Sequence, residues 1–110
     1  MTVPLYRIGI EEEYFVVDLR TRNLRVTMPK KFFRLCKRRL KDHVTNEMLQ
    51  SQIEVMTSPC ETMTESGEQI RYLRRTLATE AARHNLGIIA ASTHPIALWR
   101  EQKLTEKERF

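Results

Sequence analysis

The sequence is poor in glycine and proline and lacks the glycine-rich loops that commonly bind phosphate. Three glycines and four prolines among 110 residues argue against a loop-rich or low-complexity chain. Neither G-x-x-x-x-G-K nor G-x-G-x-x-G occurs in the sequence. If the protein binds a nucleotide, metal ions and basic side chains on a sheet must therefore hold it.

Long apolar runs are also absent, and cysteine is scarce. No window approaches the roughly 20 apolar residues of a membrane span. Met1 to Leu5 lacks the basic region and apolar run that begin a secretory signal. Cys36 and Cys60 are the two cysteines, and neither has the spacing of a metal site. We therefore predict a cytoplasmic protein with reduced thiols and no membrane partner.

Acidic residues are outnumbered by basic ones, 14 to 19, which gives a formal net charge of +5. The excess lies mainly in one cluster: Lys30, Lys31, Arg34, Lys37, Arg38, Arg39 and Lys41. Stacking aromatic residues are not interleaved with these basic residues as single-strand binders usually need. A solvated helix face is therefore favoured over a nucleic-acid site. Attraction of a polyanionic substrate such as a nucleotide stays open.

Three consecutive glutamates, Glu11 to Glu13, lie in a segment that otherwise has the pattern of a β-strand. Acidic residues are poor strand formers, and adjacent like charges repel. Because side chains alternate along a strand, Glu11 and Glu13 share one face, about 7 Å apart, and Glu12 points to the other. The pair is well placed to hold a hard divalent cation. The alternative is an exposed strand face paired with basic neighbours. For Glu12 we expect a structural hydrogen bond or salt bridge, with an arginine of a later helix as a candidate partner.

The first half of the chain predicts a strand, a hairpin and a helix. A strand from Tyr6 to Asp18 is followed by a polar turn and a short return strand, Leu24 to Val26. Pro29 suits the first position of a helix. Apolar residues at helical spacing extend this helix from Lys30 to Leu40.

The second half predicts a strand, a long helix and another strand. The first strand runs from Gln52 to Thr57. Thr62, with a glutamate three residues later, has the pattern of a capping box, and the helix is expected to close at Gly87 through a left-handed cap. Ile88 to Ser92 is an apolar run typical of a buried strand. The crossover should be right-handed if the two strands are parallel neighbours.

Polar side chains suited to a binding site come from three segments. They are Glu11 and Glu13 on the first strand, Gln52 and Glu54 on one face of a later strand, and Thr93 and His94 after the last strand. Carboxylate-rich clusters suit Mg²⁺ or Mn²⁺ rather than zinc. Such ions bridge nucleotide phosphates and neutralise charge during phosphoryl transfer. The alternatives are an exposed sheet face for Gln52 and Glu54, and a turn-stabilising role for His94.

Three stretches carry a resemblance to a known family. They are Gly9-Ile-Glu-Glu-Glu-Tyr-Phe-Val-Val-Asp18, Gln50-Ser-Gln-Ile-Glu-Val-Met-Thr-Ser-Pro-Cys60 and Ala91-Ser-Thr-His-Pro-Ile-Ala-Leu-Trp99. In this order and spacing they resemble the amino-terminal third of the type 2 glutamate–cysteine ligases, also called carboxylate-amine ligases. The first stretch is similar, more distantly, to the glycine-x-glutamate-x-glutamate strand of glutamine synthetase. The likeness covers essentially all 110 residues.

The resemblance implies an ATP-dependent ligase that joins glutamate to an amine, with cysteine as a candidate acceptor. The γ-carboxylate would be phosphorylated to an acyl phosphate, which the amine attacks to form a γ-glutamyl amide. The implied cofactors are ATP and Mg²⁺ or Mn²⁺. Matching positions are Glu11, Glu13 and Glu54 for metal binding, and Gln52, Thr93 and His94 for substrate binding. The resemblance assigns neither catalytic nor nucleotide-binding residues here.

The implied fold is α+β: a mixed, mainly antiparallel sheet with two main helices, part of a glutamine-synthetase-like catalytic domain. Residues 1–110 would form the amino-terminal portion of that domain and would be incomplete. Thr105-Glu-Lys-Glu108 is typical of a helix start, yet the sequence ends at Phe110. The alternative function is a truncated, non-catalytic domain that assembles through its unfinished sheet edge. Its partner would be a second copy or a complementing chain. A basic nucleic-acid-binding module is the least favoured alternative.

Overall fold

The computed structural model describes residues 6–91 and 93–106. Its helices are α1 (Lys30–Leu40) and α2 (Met63–Ala82), and its strands are β1 (Glu11–Asp18), β2 (Val44–Asn46), β3 (Gln52–Met56) and β4 (Leu86–Ile89). Short 3-10 turns occupy Lys41–His43 and Trp99–Glu101. The helix start predicted at the end of the chain falls partly outside the described residues.

The four strands form one sheet in the order β2-β3-β1-β4, and each neighbouring pair is antiparallel. The α+β class is therefore confirmed, and the described sheet is antiparallel throughout rather than mixed. Strands β3 and β4 point the same way, but β1 lies between them. The crossover through α2 therefore does not join parallel neighbours.

Both helices pack on one face of the sheet and form the main core with it. Helix α1 contributes Phe32, Cys36 and Leu40 to this core, and α2 contributes an apolar stripe of Ile70, Leu73, Leu77 and Ala81. The opposite face of the sheet carries a smaller apolar cluster around Phe15, Val17 and Leu24. In the part of the chain that the structure describes, no helix combines the length and apolar character needed to cross a membrane.

The start of α2 follows the sequence prediction, but its end does not. The Thr62 side chain accepts a hydrogen bond from the backbone N–H of Glu65 at 3.1 Å, which caps the first turn. The helix ends at Ala82, and Asn85 rather than Gly87 adopts the left-handed conformation, with φ 57°. Asparagine tolerates this region because its short side chain bonds locally.

The last strand is also displaced from its predicted range. Because the chain turns at Asn85, β4 starts at Leu86 and ends at Ile89, whereas the sequence predicts Ile88 to Ser92. Gly87 consequently lies inside the strand, where an added Cβ would be 2.9 Å from Leu19 Cδ2. Ser92 is outside the described residues.

Strand β1 is shorter than the predicted strand from Tyr6 to Asp18. Upstream of it, Ile8 makes an isolated antiparallel bridge with Cys60. The predicted return strand after the turn is reduced to a bridge between Val17 and Leu24. The Asp18 carboxylate instead accepts hydrogen bonds from two backbone N–H groups of the turn, at 2.7 and 3.1 Å. These hydrogen bonds lower the Asp18 pKa.

Candidate functional site

Pairing of β1 with β3 brings two of the predicted metal ligands face to face. In the antiparallel register Glu13 lies opposite Glu54, and Phe15 lies opposite Gln52. The buried neighbour Tyr14 pairs on the helix side, and this apolar pattern fixes the register. The two glutamates consequently lie on the sheet face that the helices leave open.

A third carboxylate, Glu47, completes a cluster on this face. One carboxylate oxygen from each of Glu13, Glu47 and Glu54 lies within 4.8 Å of the others. Glu47 directly follows β2, whose Thr45 pairs with Glu54. Glu47 is not among the predicted ligands, because the conformation between Thr45 and β3 does not follow from the sequence pattern. An acidic residue just before a predicted strand with an acidic face was the available signal.

The mutual proximity of these carboxylates changes the protonation of Glu54. Its pKa rises from the ordinary 4.5 to about 7. Desolvation by partial burial is the largest cause, followed by a hydrogen bond with Glu47 and by the negative charges of Glu47, Glu11 and Glu13. Glu54 therefore holds its proton more readily than an ordinary glutamate. A divalent cation would favour the ionised forms that this crowding disfavours.

Glu11 lies on the same face but not among the three clustered oxygens. It is opposite Met56 and is exposed. With Glu13, Ala90 and Ala91 it lines an open depression of about 440 Å³ beside the cluster. The predicted set of Glu11, Glu13 and Glu54 is therefore brought onto one face, with Glu47 closer to the centre of the cluster than Glu11. Its metal-binding role stays a prediction.

Glu12 points to the helix side and has a structural role, as expected from strand alternation. Its carboxylate accepts hydrogen bonds from Arg74 Nε at 2.9 Å, from Arg74 Nη2 and from the Tyr14 hydroxyl at 3.0 Å. Burial, together with the hydrogen bond to Glu12, raises the pKa of Tyr14 to about 12, and the hydrogen bond from Arg74 opposes this rise. This contact ties β1 to α2 directly behind the carboxylate cluster.

The predicted substrate residues occupy different surroundings. Gln52 is partly buried on the open face, two residues from Glu54 and opposite Phe15. Thr93 is exposed and His94 is buried. Both line a small cavity of about 190 Å³ that also includes Phe15 and Gln102. The four glutamates of the open face are not part of this cavity.

Both ring nitrogens of His94 are engaged by the backbone. Its Nδ1 accepts hydrogen bonds from the N–H groups of Ile96 and Ala97 at 3.2 and 3.1 Å. Its Nε2 is 3.0 Å from the Arg22 carbonyl oxygen and must therefore carry the proton. The ring is neutral and ties its own loop to the turn after β1. Substrate binding by Gln52, Thr93 and His94 stays a prediction.

The donor set of the cluster fits a hard divalent cation. Glu13, Glu47 and Glu54 offer carboxylate oxygens only, which Mg²⁺ and Mn²⁺ accept and which zinc sites seldom use alone. Three oxygens within 4.8 Å can face one ion. Glu11 lies far enough along the strand to serve a second ion or a water ligand. The chemistry of the site is therefore compatible with the metal ions that the sequence implies.

Comparison with known proteins agrees with the motifs on these strands. Relatives named "Putative glutamate--cysteine ligase 2" include those of Chloroflexus aggregans (44% identical over 105 residues), Rhodospirillum rubrum (43% over 114) and Bradyrhizobium sp. ORS 278 (39% over 108). These alignments cover 96%, 100% and 98% of this chain. The chain spans 27%, 29% and 26% of the length of these curated relatives.

The family assignment rests on nearly the whole chain. The model of glutamate-cysteine ligase family 2 matches residues 7–110, which include β1, β3 and the segment after β4 that carry the three motifs. The resemblance inferred from the sequence is thereby confirmed. The chain belongs to glutamate-cysteine ligase family 2.

Proposed function

We propose that this chain forms the metal-binding amino-terminal part of an ATP-dependent carboxylate-amine ligase. The product would be a γ-glutamyl amide, made from glutamate and an amine such as cysteine through an acyl phosphate. The observation that carries the proposal is the cluster of Glu13, Glu47 and Glu54 on the open sheet face. Membership of a ligase family supports the reaction class.

Residues of the open face would bind the metal ions, and a contact on the helix side of the sheet supports them. Glu13, Glu47 and Glu54 would hold Mg²⁺ or Mn²⁺, with Glu11 beside them. A bound ion would supply positive charge next to the phosphoryl group being transferred. Behind them, the contact between Glu12 and Arg74 holds β1 against α2 and so fixes the direction of the strand.

The substrates and location belong to the same proposal. Gln52 is the predicted substrate residue nearest the cluster in the sheet, so we assign it to binding glutamate. Thr93 and His94 would shape the adjoining wall of the substrate pocket. Because the chain spans about a quarter of its relatives' length, further groups would be needed for catalysis. A cytoplasmic location fits the two free thiols.

Metal binding tests the proposal without requiring turnover by this chain. Titration with Mn²⁺, followed by water-proton relaxation, should show binding that Glu13→Gln and Glu54→Gln weaken at least about tenfold. The matched control is Glu68→Gln, which removes an exposed carboxylate from α2. Equal affinity in all four proteins would disprove the assignment of the site.

Turnover tests the reaction itself. Release of ADP should depend on Mg²⁺, glutamate and an amine, and Glu13→Gln should abolish it. The full-length relatives and this chain can be assayed side by side. Metal binding without ADP release in either would retain the metal site and reject the ligase reaction.

A second function, assembly through the sheet edge, is favoured by the sequence of β4. This strand pairs with β1 on one side and is an edge of the described sheet. Its four residues, Leu86 to Ile89, include none of the charges or prolines that usually protect edge strands. We propose a second copy or a complementing chain as the partner. A stable monomer in sedimentation velocity across the micromolar range, unaffected by Ile88→Lys, would exclude self-assembly.

A further inference from the structure

A separate concave site lies beside α1, on the side of the sheet that the helices cover. It encloses about 660 Å³, which is within the size range of small-molecule sites. Lys30, Arg34 and Lys37 line it from α1. Met28 and Phe33 also line it and pack against the main core. The cavity therefore combines cationic groups with apolar surface, away from the open acidic face.

The positive charge of this cavity is largely uncompensated by the described residues. Lys30, Arg34 and Lys37 are spaced four and three residues apart, so they lie on one face of the helix. Neither Lys30 nor Arg34 forms a salt bridge within the described ranges. Lys37 Nζ donates a hydrogen bond to the Val44 carbonyl oxygen at 2.8 Å, and no described carboxylate pairs with it. Glu106 is the acidic residue of the lining.

The amino-terminal end of α1 adds to the positive electrostatic potential of the cavity. Its first turn contains no acidic residue, and Pro29 supplies no side-chain cap. The free N–H groups and the dipole of an uncapped helix start favour a negative group nearby. Lys30, which lines the cavity, belongs to this turn.

One residue of the cavity lining, Thr105, has an unsatisfied hydroxyl. Thr105 lines the cavity, and its backbone N–H donates to the Met48 carbonyl oxygen at 2.7 Å. Its Oγ1 is buried and has no hydrogen-bond partner among the described residues. A buried hydroxyl without a partner costs free energy that a ligand can recover. This observation is independent of the charges on α1, and the hydroxyl would gain a partner if the Thr105 side chain turned toward a polar ligand in the cavity.

We propose that this cavity binds a small phosphate-bearing ligand that also carries an apolar ring. Arg34 and Lys30 would bind the phosphate, since a guanidinium fork and an ammonium both suit phosphate oxygens. Met28 and Phe33 would contact the ring, and the Thr105 hydroxyl would donate to the ligand. The site is distinct from the carboxylate cluster and does not depend on the proposed ligase reaction.

Phenyl phosphate is the simplest probe of this chemistry, with inorganic phosphate and phenol as its two halves. Binding is followed by calorimetry and by shifts of the backbone amide and methyl signals of the 110-residue chain. Phenyl phosphate should bind more tightly than either half and should shift signals of Met28 and Phe33. No binding at millimolar phenyl phosphate, or shifts confined to the open acidic face, would overturn the proposal.

Matched charge variants separate the cavity from the general basicity of α1. The double variant Lys30→Gln with Arg34→Gln should weaken binding by at least about tenfold. Lys31→Gln with Arg38→Gln removes the same charges from exposed positions of the same helix that do not line the cavity. It should change affinity by less than about twofold. Equal losses in both double variants would mean diffuse attraction of anions, as a nucleic-acid surface would show, and would overturn the proposal.

Thr105→Val gives a readout that a purely structural role would not produce. The substitution removes the unsatisfied hydroxyl and keeps the shape of the side chain, so thermal stability without ligand should rise or stay equal. Affinity for phenyl phosphate should nevertheless fall by about threefold or more. Lower stability together with unchanged affinity would show that the hydroxyl serves the fold and would overturn its assignment to the ligand.

Discussion

Glu54 combines partial burial, a hydrogen bond with Glu47 and two further negative neighbours, and each raises its pKa. In the folded protein the pKa is about 7, against 4.5 ordinarily. Between these values the folded state keeps a proton that the unfolded chain releases. Stability from this group is therefore fully present below pH 4.5 and is lost as the pH rises through about 7.

Replacing this carboxyl should remove that pH dependence. We expect Glu54→Gln to flatten the dependence of the melting temperature on pH across this window. Above pH 7 it should exceed the parent protein in stability by ~1 kcal/mol or less, since the site is partly solvated. Thermal unfolding followed by circular dichroism checks this. Glu68→Gln should keep the parental slope, and a parental slope in Glu54→Gln would contradict the assignment.

At the scale of elements, adjacent glutamates of β1 have different roles, because successive side chains of a strand point to opposite faces of the sheet. Glu12→Gln breaks the contact with Arg74 and should lower the free energy of unfolding by about 1 kcal/mol. Glu11→Gln is the matched control, since it relieves repulsion on the open face and should be neutral or slightly stabilising. Chemical denaturation measures both. Equal destabilisation by the two substitutions would contradict the placement of Glu12 on the helix side and Glu11 on the open face of the sheet.

The turn between α2 and β4 gives a second element-level prediction. Asn85 has φ 57°, where glycine is relaxed and a Cβ is strained. Asn85→Gly should therefore be near neutral, whereas Asn85→Ala should destabilise by about 1 kcal/mol. Urea denaturation of the two variants provides the comparison. A less stable glycine variant would show that the asparagine side chain, rather than the backbone conformation, matters at this position.

Short-range sequence patterns predicted the helices and strands. Pairing between strands distant in sequence decided where some of them begin and end. The Thr62 cap, the apolar stripes of both helices and the alternation around Glu13 and Glu54 are encoded within a few residues of each position. The choice of Asn85 over Gly87 as the left-handed residue depends on where β4 must start to pair with β1. No short-range pattern contains that information.

The difference between short-range patterns and long-range pairing also explains which residues of the site could be predicted. Glu13 and Glu54 could be predicted because each belongs to a strand with a readable face. Glu47 could not, because its position depends on the hairpin between β2 and β3. The contact of His94 Nε2 likewise depends on a turn more than 70 residues earlier, at Arg22.

For the molecule as a whole, the carboxy-terminal segment supports the position of Glu47. Thr105 N–H donates to Met48 O at 2.7 Å, and the Ser51 hydroxyl donates to Gln102 Oε1 at 2.5 Å. Ending the chain after Leu98 removes these contacts. We expect faster amide exchange at residues 47–51 and several-fold weaker Mn²⁺ binding, with α2 still protected.

Hydrogen exchange by mass spectrometry and Mn²⁺ titration together test this support. Loss of protection in α2 as well would show that the truncation unfolds the domain, so its metal affinity would then carry no information about the segment. In that case the double variant Ser51→Ala with Gln102→Ala removes the hydrogen bond between these two side chains without shortening the chain. Unchanged exchange and unchanged Mn²⁺ affinity in a folded variant would contradict the supporting role.

Strand β1 occupies an inner position of the sheet, between β3 and β4. This position determines when the sheet can form during synthesis of the chain. During translation β1 emerges before both of its partners, because β3 begins at Gln52 and the residue paired with Phe15 on the other side is Ile89. The sheet cannot close until α2 has left the ribosome, so folding must wait for contacts distant in sequence. We expect the run of glutamates at the start of β1 to discourage the unpaired strand from pairing with another nascent chain, because like charges repel.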